Sequence, residues 1–135
     1  MMGYLLDTCV ISDFVKGDKN TLHRLKSSNP VDIFISCLTL MEVNYGLAIN
    51  PQRAIKIKPL IETLLTTITI VSFGAEEAEQ AAQIRSILKT AGNPIGAYDV
   101  LIASTARTHN HIIVTSNVRE FQRVPELKIE NWRLS

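Results

Sequence analysis

The chain has 135 residues, of which 46% are apolar and 20% charged, and its net charge is +1. That length suits a single domain, residues 1–135, with room for one proper core and not for two. The balance excludes a disordered chain, and the near-neutral charge excludes a globally basic nucleic-acid binder while leaving a local basic patch open.

The first ten residues lack the basic start of a signal peptide, and Asp7 interrupts their apolar run. No stretch approaches the roughly 20 apolar residues that a membrane-spanning helix needs. The two cysteines, Cys9 and Cys37, are widely separated and fall at apolar strand ends. Reduced thiols in a cytoplasmic protein are expected, neither a disulfide framework nor a zinc site.

In chain order, Tyr4–Leu6 reads as a strand that ends on Asp7, followed by helical patterns at Ile11–Lys16 and Asn20–Ser27. Ile33–Cys37 reads as a second strand, and Leu40–Ala48 and Arg53–Thr66 as helices, with Pro59 expected to kink or split the latter. Strand Ile68–Ser72 precedes helix Glu76–Thr90, whose acidic first turn, Lys89 and trailing Gly92 follow the helix macrodipole and a glycine stop. Helix Tyr98–Asn110, strand Ile112–Thr115 and a weaker strand at Lys128–Asn131 complete the chain. The β–α–β order predicts an α/β fold: a central, mostly parallel five-stranded sheet with helices on both faces, hence three layers. In such sheets sites form beyond the carboxyl ends of the strands, where strand order reverses, and Asp7 falls at such an end.

Glu42, in "TLMEVNYG", has Tyr45, Gly46 and Ile49 at helical spacing, and Asp99, in "GAYDVLIASTAR", has Ile102, Ala103 and Ala106. Asp7, Glu42 and Asp99 thus each stand at the head of an element expected to face the core. Separately, each has an ordinary role: Asp7 as a turn residue, Glu42 in a Thr39-x-x-Glu42 capping box, Asp99 as a first-turn acid. Together they require three coincidences at one edge of the sheet. Convergence has a single cause, because crowded carboxylates repel unless a proton or cation enters. An oxygen-rich donor set suits Mg²⁺ or Mn²⁺, and such an ion activates water and neutralises charge on a phosphate, the starting point of phosphodiester hydrolysis. In "HIIVTSNVREF", Thr115, Ser116, Asn117 and Glu120 supply further oxygens, or simply an Asx turn.

The segments "LLDTCVIS", "TLMEVNYG", "PIGAYDVLIASTAR" and "IIVTSNVREF" resemble, in order and spacing, the successive signatures of PIN domains, and more narrowly the VapC toxins of type II toxin–antitoxin pairs. The likeness extends to the ending "ELKIENW". It implies a PIN-like fold, a Mg²⁺-dependent endoribonuclease acting on structured RNA, tRNA in particular, a homodimer, and an antitoxin that wraps the toxin and blocks its site. Residue by residue, it implies metal ligation by Asp7 and Asp99, with Glu42 as the remaining acid of the core set. Thr8, Ser12 and Thr115 correspond to supporting hydroxyls. Asn117 stands where many relatives carry a fourth aspartate, which argues for one firmly held metal. Glu120 compensates in part, Asn117 positions water or phosphate, and Arg119 is the preferred phosphate contact.

Other features carry ordinary roles. "HNH" at 109–111 ends a helix, where imidazolium suits the dipole, and His23 lies on a polar face. "AGNPIGAY" lacks the Gly-Lys-Ser/Thr of a phosphate-cradling loop. Lys16, Lys19, Arg53, Lys56 and Lys58 read as solvated surface. The stripe Ile55, Leu60, Ile61, Leu64 and Leu65 reads as core or as a dimer or antitoxin surface. Two rival functions stand beside the nuclease: an aspartyl phosphatase or phosphotransferase with Asp7 as nucleophile, and a catalytically silent RNA- or protein-binding module. The first generally has a second acid two residues on, where this chain has Cys9.

Overall fold

The computed structural model describes residues 2–134. Strands β1 (Tyr4–Leu6), β2 (Ile33–Ser36), β3 (Thr69–Val71), β4 (Ile112–Val114) and β5 (Ile129–Glu130) form a five-stranded sheet in the order β3-β2-β1-β4-β5. Every pairing is parallel, so the sheet goes beyond the mostly parallel one expected. The helices are α1 (Thr8–Lys16), α2 (Lys19–Ser27), α3 (Cys37–Ile49), α4 (Pro51–Thr67), α5 (Ala75–Thr90), α6 (Ala97–Thr108) and α7 (Val118–Phe121).

The two-residue period of a strand assigns the core. Leu5 and Ile113 point to one face, where they pack with Ile84 and Leu88 of α5, Ile102, Ala103 and Ala106 of α6, and Phe121 of α7. Leu6 and Val114 point to the other, with Ile33 and Ile35, against Val10 and Ile11 of α1, Val43 of α3, and Ile61 and Leu64 of α4. A sheet buried on both faces needs apolar residues at successive positions, which is why its strands read as short unbroken apolar runs. The carboxyl-terminal segment is pinned to the second face. Trp132 is buried edge-on to Tyr4, with the Arg24 guanidinium over its ring, and Arg133 forms a two-pronged pair with buried Asp13 of α1.

Four local expectations are corrected. α4 runs unbroken through Pro59. The proline lies on an exposed face, so the Ile55 carbonyl it leaves without a helical partner can meet water, while Ile61 and Leu64 gain burial. The apolar stripe therefore divides: Ile61 and Leu64 are core, whereas Ile55 and Leu60 face solvent. The Thr39-x-x-Glu42 capping box does not form, because α3 starts three residues earlier with Ser36 as its cap, accepting from the Thr39 N–H at 3.1 Å. The buried positions of α3 are Thr39 and Val43; Tyr45 and Ile49 are exposed, so Glu42 sits beside the core-facing stripe rather than at its head. The short helix α7, expected only as a turn, opens at Asn117.

Gly92 does end α5, at φ +68°, a conformation that side-chain-bearing residues avoid. The histidines keep structural roles, but His111 lies beyond the helix end, where burial holds its pKa below the usual value, so only His109 occupies the expected helix-end position. His109 ends α6 and bonds Glu77 Oε2 at 2.7 Å, and His111 stacks on Phe34.

Candidate active site

The chain builds β1, then β2 and β3 on one side of it, and returns to place β4 and β5 on the other, so strand order reverses between β1 and β4. Leu6 pairs with Val114, which sets the next residues, Asp7 and Thr115, side by side just beyond the sheet. The Asp7 N–H still bonds the Val114 carbonyl at 2.9 Å. From there Asp7 becomes the cap of α1, and the side chain that ends the strand also starts the helix.

Asp7 is buried, and both oxygens of its carboxylate accept hydrogen bonds while Oδ1 keeps a free lone pair. Oδ1 accepts from the Thr8 N–H at 2.8 Å, and Oδ2 accepts from Thr115 Oγ1 at 2.9 Å and from Cys9 Sγ at 3.6 Å. Thr115 Oγ1 in turn accepts from the Asn117 N–H at 3.0 Å, and Cys9 Sγ accepts from the Ser116 N–H at 3.4 Å. The loop after β4 is thereby tied to the carboxylate after β1. Thr8 Oγ1 reaches the other way and donates to Glu42 Oε1 at 2.9 Å. Ser12, one turn along α1, shares a cavity wall with Thr8 and Glu42.

Asp99 lies in the first turn of α6, half-buried. Burial, a hydrogen bond with the Glu120 carboxyl, and the charges of Asp7, Glu120 and Glu42 push its pKa up to about 7. Gly96, the cap of α6, leaves room for Asp99: a β-carbon there would stand 3.3 Å from its Oδ2.

The structure therefore brings Asp7, Glu42, Asp99, Glu120, Thr8 and Thr115 into one neighbourhood. Asn117 enters it through its backbone N–H, and Arg119 is exposed on α7, next to Glu120. The sequence marks Cys9 only as a packed thiol, and its contact with the Asp7 carboxylate has no signal in the residue order. Among the described residues, no three His, Cys, Asp or Glu side chains converge closely enough to cage a metal ion unaided. The donor set is nonetheless one for a hard cation. It is rich in carboxylate oxygen, and burial with the neighbouring negative charges raises the Asp99 pKa to about 7. Mg²⁺ in particular retains several waters and needs only one or two direct carboxylates.

Residues 4–127 match the family model described as the PIN domain. The chain belongs to the PIN domain family. Within that family it is similar to the tRNA(fMet)-specific endonuclease VapC of Salmonella typhimurium, with 31% identity over 134 residues, covering 98% of this chain and 99% of the relative. The tRNA(fMet)-specific endonuclease VapC of Shigella flexneri is 35% identical over 132 residues, again covering 98% and 99%. Among solved structures, the DNA-bound VapBC from Salmonella typhimurium superposes with a TM-score of 0.88 at 30% identity, covering 98% of this chain and 99% of that one. FitAcB from Neisseria gonorrhoeae gives 0.87 at 28% identity, with 98% and 99% covered. The PIN-like fold and the resemblance to VapC proteins are borne out over nearly the whole chain.

Proposed function

We propose that this chain is a VapC-type toxin, a metal-dependent endoribonuclease that hydrolyses RNA phosphodiester bonds, with tRNA as its substrate class and a VapB-like antitoxin as its inhibitor. One observation carries the reading. Carboxylates from four separate segments gather where strand order reverses, and burial together with their mutual repulsion raises Asp99 to about 7. VapC relatives named for cleavage of tRNA(fMet), and neighbours solved as VapBC complexes, support the substrate class and the partner.

Asp7 and Asp99 would hold Mg²⁺ or Mn²⁺, with Glu42 as a further ligand directly or through water. When bound, the ion neutralises charge developing on the phosphate and makes a coordinated water more acidic. The protein's own contributions are separable. Thr8, Thr115 and Cys9 fix the Asp7 carboxylate so that its lone pairs have one orientation. Thr8 also anchors Glu42, which orients the attacking water and takes its proton as the new P–O bond forms and the ester P–O bond breaks. The departing oxygen takes a proton from solvent. Asn117 positions water or phosphate, and Arg119 contacts the RNA backbone. In this reading one metal is held firmly, because Asn117 brings no charge.

The rival phosphatase reading meets a specific obstacle. Such enzymes generally carry a second acid two residues after the nucleophile, and that position here is Cys9, which donates to Asp7 Oδ2. The exposed apolar Tyr45, Ile49 and Ile55 offer a surface for the antitoxin or for a second copy. In the deciding experiment, purified wild-type, Asp7→Asn and Asp99→Asn proteins are incubated with bulk tRNA, with Mg²⁺ or with EDTA, and the ends are mapped. Discrete cuts made only by the wild type with Mg²⁺ are expected. Cutting at the wild-type rate by folded Asp7→Asn would remove the proposal.

A further inference from the structure

Beside the carboxylates lies a cavity of about 140 Å³ whose wall is shared with the candidate site through Thr8, Ser12 and Glu42. Its opposite side is apolar, formed by Ile11 and Val15 of α1 and Ile57 of α4, and Arg53 from the first turn of α4 completes it. The volume falls short of the roughly 300–1,000 Å³ of pockets for drug-sized ligands, and suits a single planar ring system. Among the described residues, Arg53 has no ion-pair partner.

Gly46 also lines this cavity. It lies well inside α3, where glycine is unfavourable because it loses more backbone freedom than any other residue. A glycine inside a helix often allows close approach of another protein segment. Here it does not, because a β-carbon at Gly46 would meet nothing within 4 Å. The space is left open beside the carboxylates, against an apolar wall and within reach of a cation. From this we infer that the cavity is a nucleotide subsite: it takes one base of the RNA next to the scissile phosphate, and Arg53 neutralises the adjoining phosphate. The inference rests on the nuclease reading and names how that site holds its substrate. Charge decides for RNA over a protein side chain, because an apolar slot needs no cation, whereas a base joined to a phosphodiester meets both.

The test separates binding from cleavage. In the Asp7→Asn background without metal, fluorescein-labelled single-stranded RNA hexamers of each base are titrated by anisotropy, with Gly46→Leu or Arg53→Gln added. Gly46→Leu should weaken the best hexamer by about tenfold or more, without lowering the thermal midpoint, because leucine favours a helix over glycine. Arg53→Gln should weaken it about fivefold and reduce the salt slope by about 0.7, the share of one single-strand phosphate contact. On bulk tRNA with Mg²⁺, each single variant should raise KM more than it lowers kcat. Unchanged hexamer binding by both folded variants overturns the subsite and leaves the cavity to a protein side chain. Cleavage by Asp7→Asn would instead fail the nuclease reading, so the two failures are distinguishable.

Discussion

The Thr8 hydroxyl donates a 2.9 Å hydrogen bond to Glu42 Oε1, while the Thr8 backbone N–H donates at 2.8 Å to Asp7 Oδ1. One residue thus sets two carboxylates from segments that lie far apart in the chain. Thr8→Val keeps the shape and the backbone donor but deletes the hydroxyl. The loss to stability should be about 1 kcal/mol, the ordinary net worth of one hydrogen bond. The loss to catalysis should be larger, about tenfold in kcat, because Glu42 gains freedom in the direction that matters for aligning water. Thermal melts and single-turnover cleavage of tRNA on the same preparations check the difference. Equal, small losses in both would mean that the bond is only structural.

The raised pKa of Asp99 makes a prediction about acid and base. Asp99 carries a proton up to about pH 7 in the folded chain, against an ordinary value of 3.8. Between those values the folded state binds more protons than the unfolded state, so this group's contribution to stability is present at low pH and lost as pH rises through about 7. Asp99→Asn removes the titration. In EDTA the variant should melt with the wild type near pH 4 and a few degrees above it at pH 8, an effect kept modest by the half-exposed position. Added Mg²⁺ should reverse the order at pH 8 by stabilising the wild type alone. A constant gap between the two melting curves across this range would contradict the crowding of carboxylates.

Away from the site, Glu77 tests the opposite sign. Burial pushes its pKa up, but the Gly74 N–H, its own N–H and His109 outweigh burial and hold the carboxyl below its ordinary value of 4.5. Its stabilisation is therefore present above about pH 4.5 and is lost as pH falls through the depressed folded value. Glu77→Gln should lower stability at pH 7 by about 1–2 kcal/mol, the range for losing a helix cap and a charged hydrogen bond. The gap should shrink below pH 4. Urea titrations at pH 7 and 3.5 measure it, and tRNA cleavage at pH 7 should be unaffected.

How much of this was legible beforehand depends on the range of each interaction. Leu5 and Leu6, Ile33 and Ile35, and Ile113 and Val114 announce buried strands because a two-residue period and β-branching are local properties. Asp7, Glu42, Asp99 and Glu120 could be singled out because acids at the ends of apolar runs are anomalous. Their arrangement could not. That Glu120 comes close enough to act on the Asp99 carboxyl depends on α7, a helix of four residues too short to show a period. Pro59 misled because the rule against interior prolines is averaged over faces, and here the bereft carbonyl looks outward. Thr39-x-x-Glu42 misled because a sequence pattern for a cap does not say where the preceding strand stops; Ser36, fully buried at the end of β2, took the role. Gly46 and Arg53 lie seven residues apart on different helices, and only the α3–α4 turn brings both to one cavity.

Cys9 supplies the last prediction, because nothing in its local sequence distinguishes it from a core thiol. Its sulfur lies 3.6 Å from Asp7 Oδ2, 3.6 Å from Thr115 Oγ1 and 3.4 Å from the Ser116 N–H it accepts. Each contact with sulfur is weak, yet all three bear on the alignment of one carboxylate with the loop after β4. Cys9→Ser keeps a donor and an acceptor at the same position and should retain activity within about threefold. Cys9→Val fills the space but leaves the Ser116 N–H without an acceptor and Asp7 with one donor fewer, a loss of about 1–2 kcal/mol in stability. Its signature should be a higher Mg²⁺ concentration for half-maximal cleavage, because a less constrained carboxylate pays more entropy to bind an ion. Mg²⁺ titrations of cleavage by the wild type and both variants read this directly. A Cys9→Val curve that overlays the wild type would show that Thr8 and Thr115 suffice to hold Asp7.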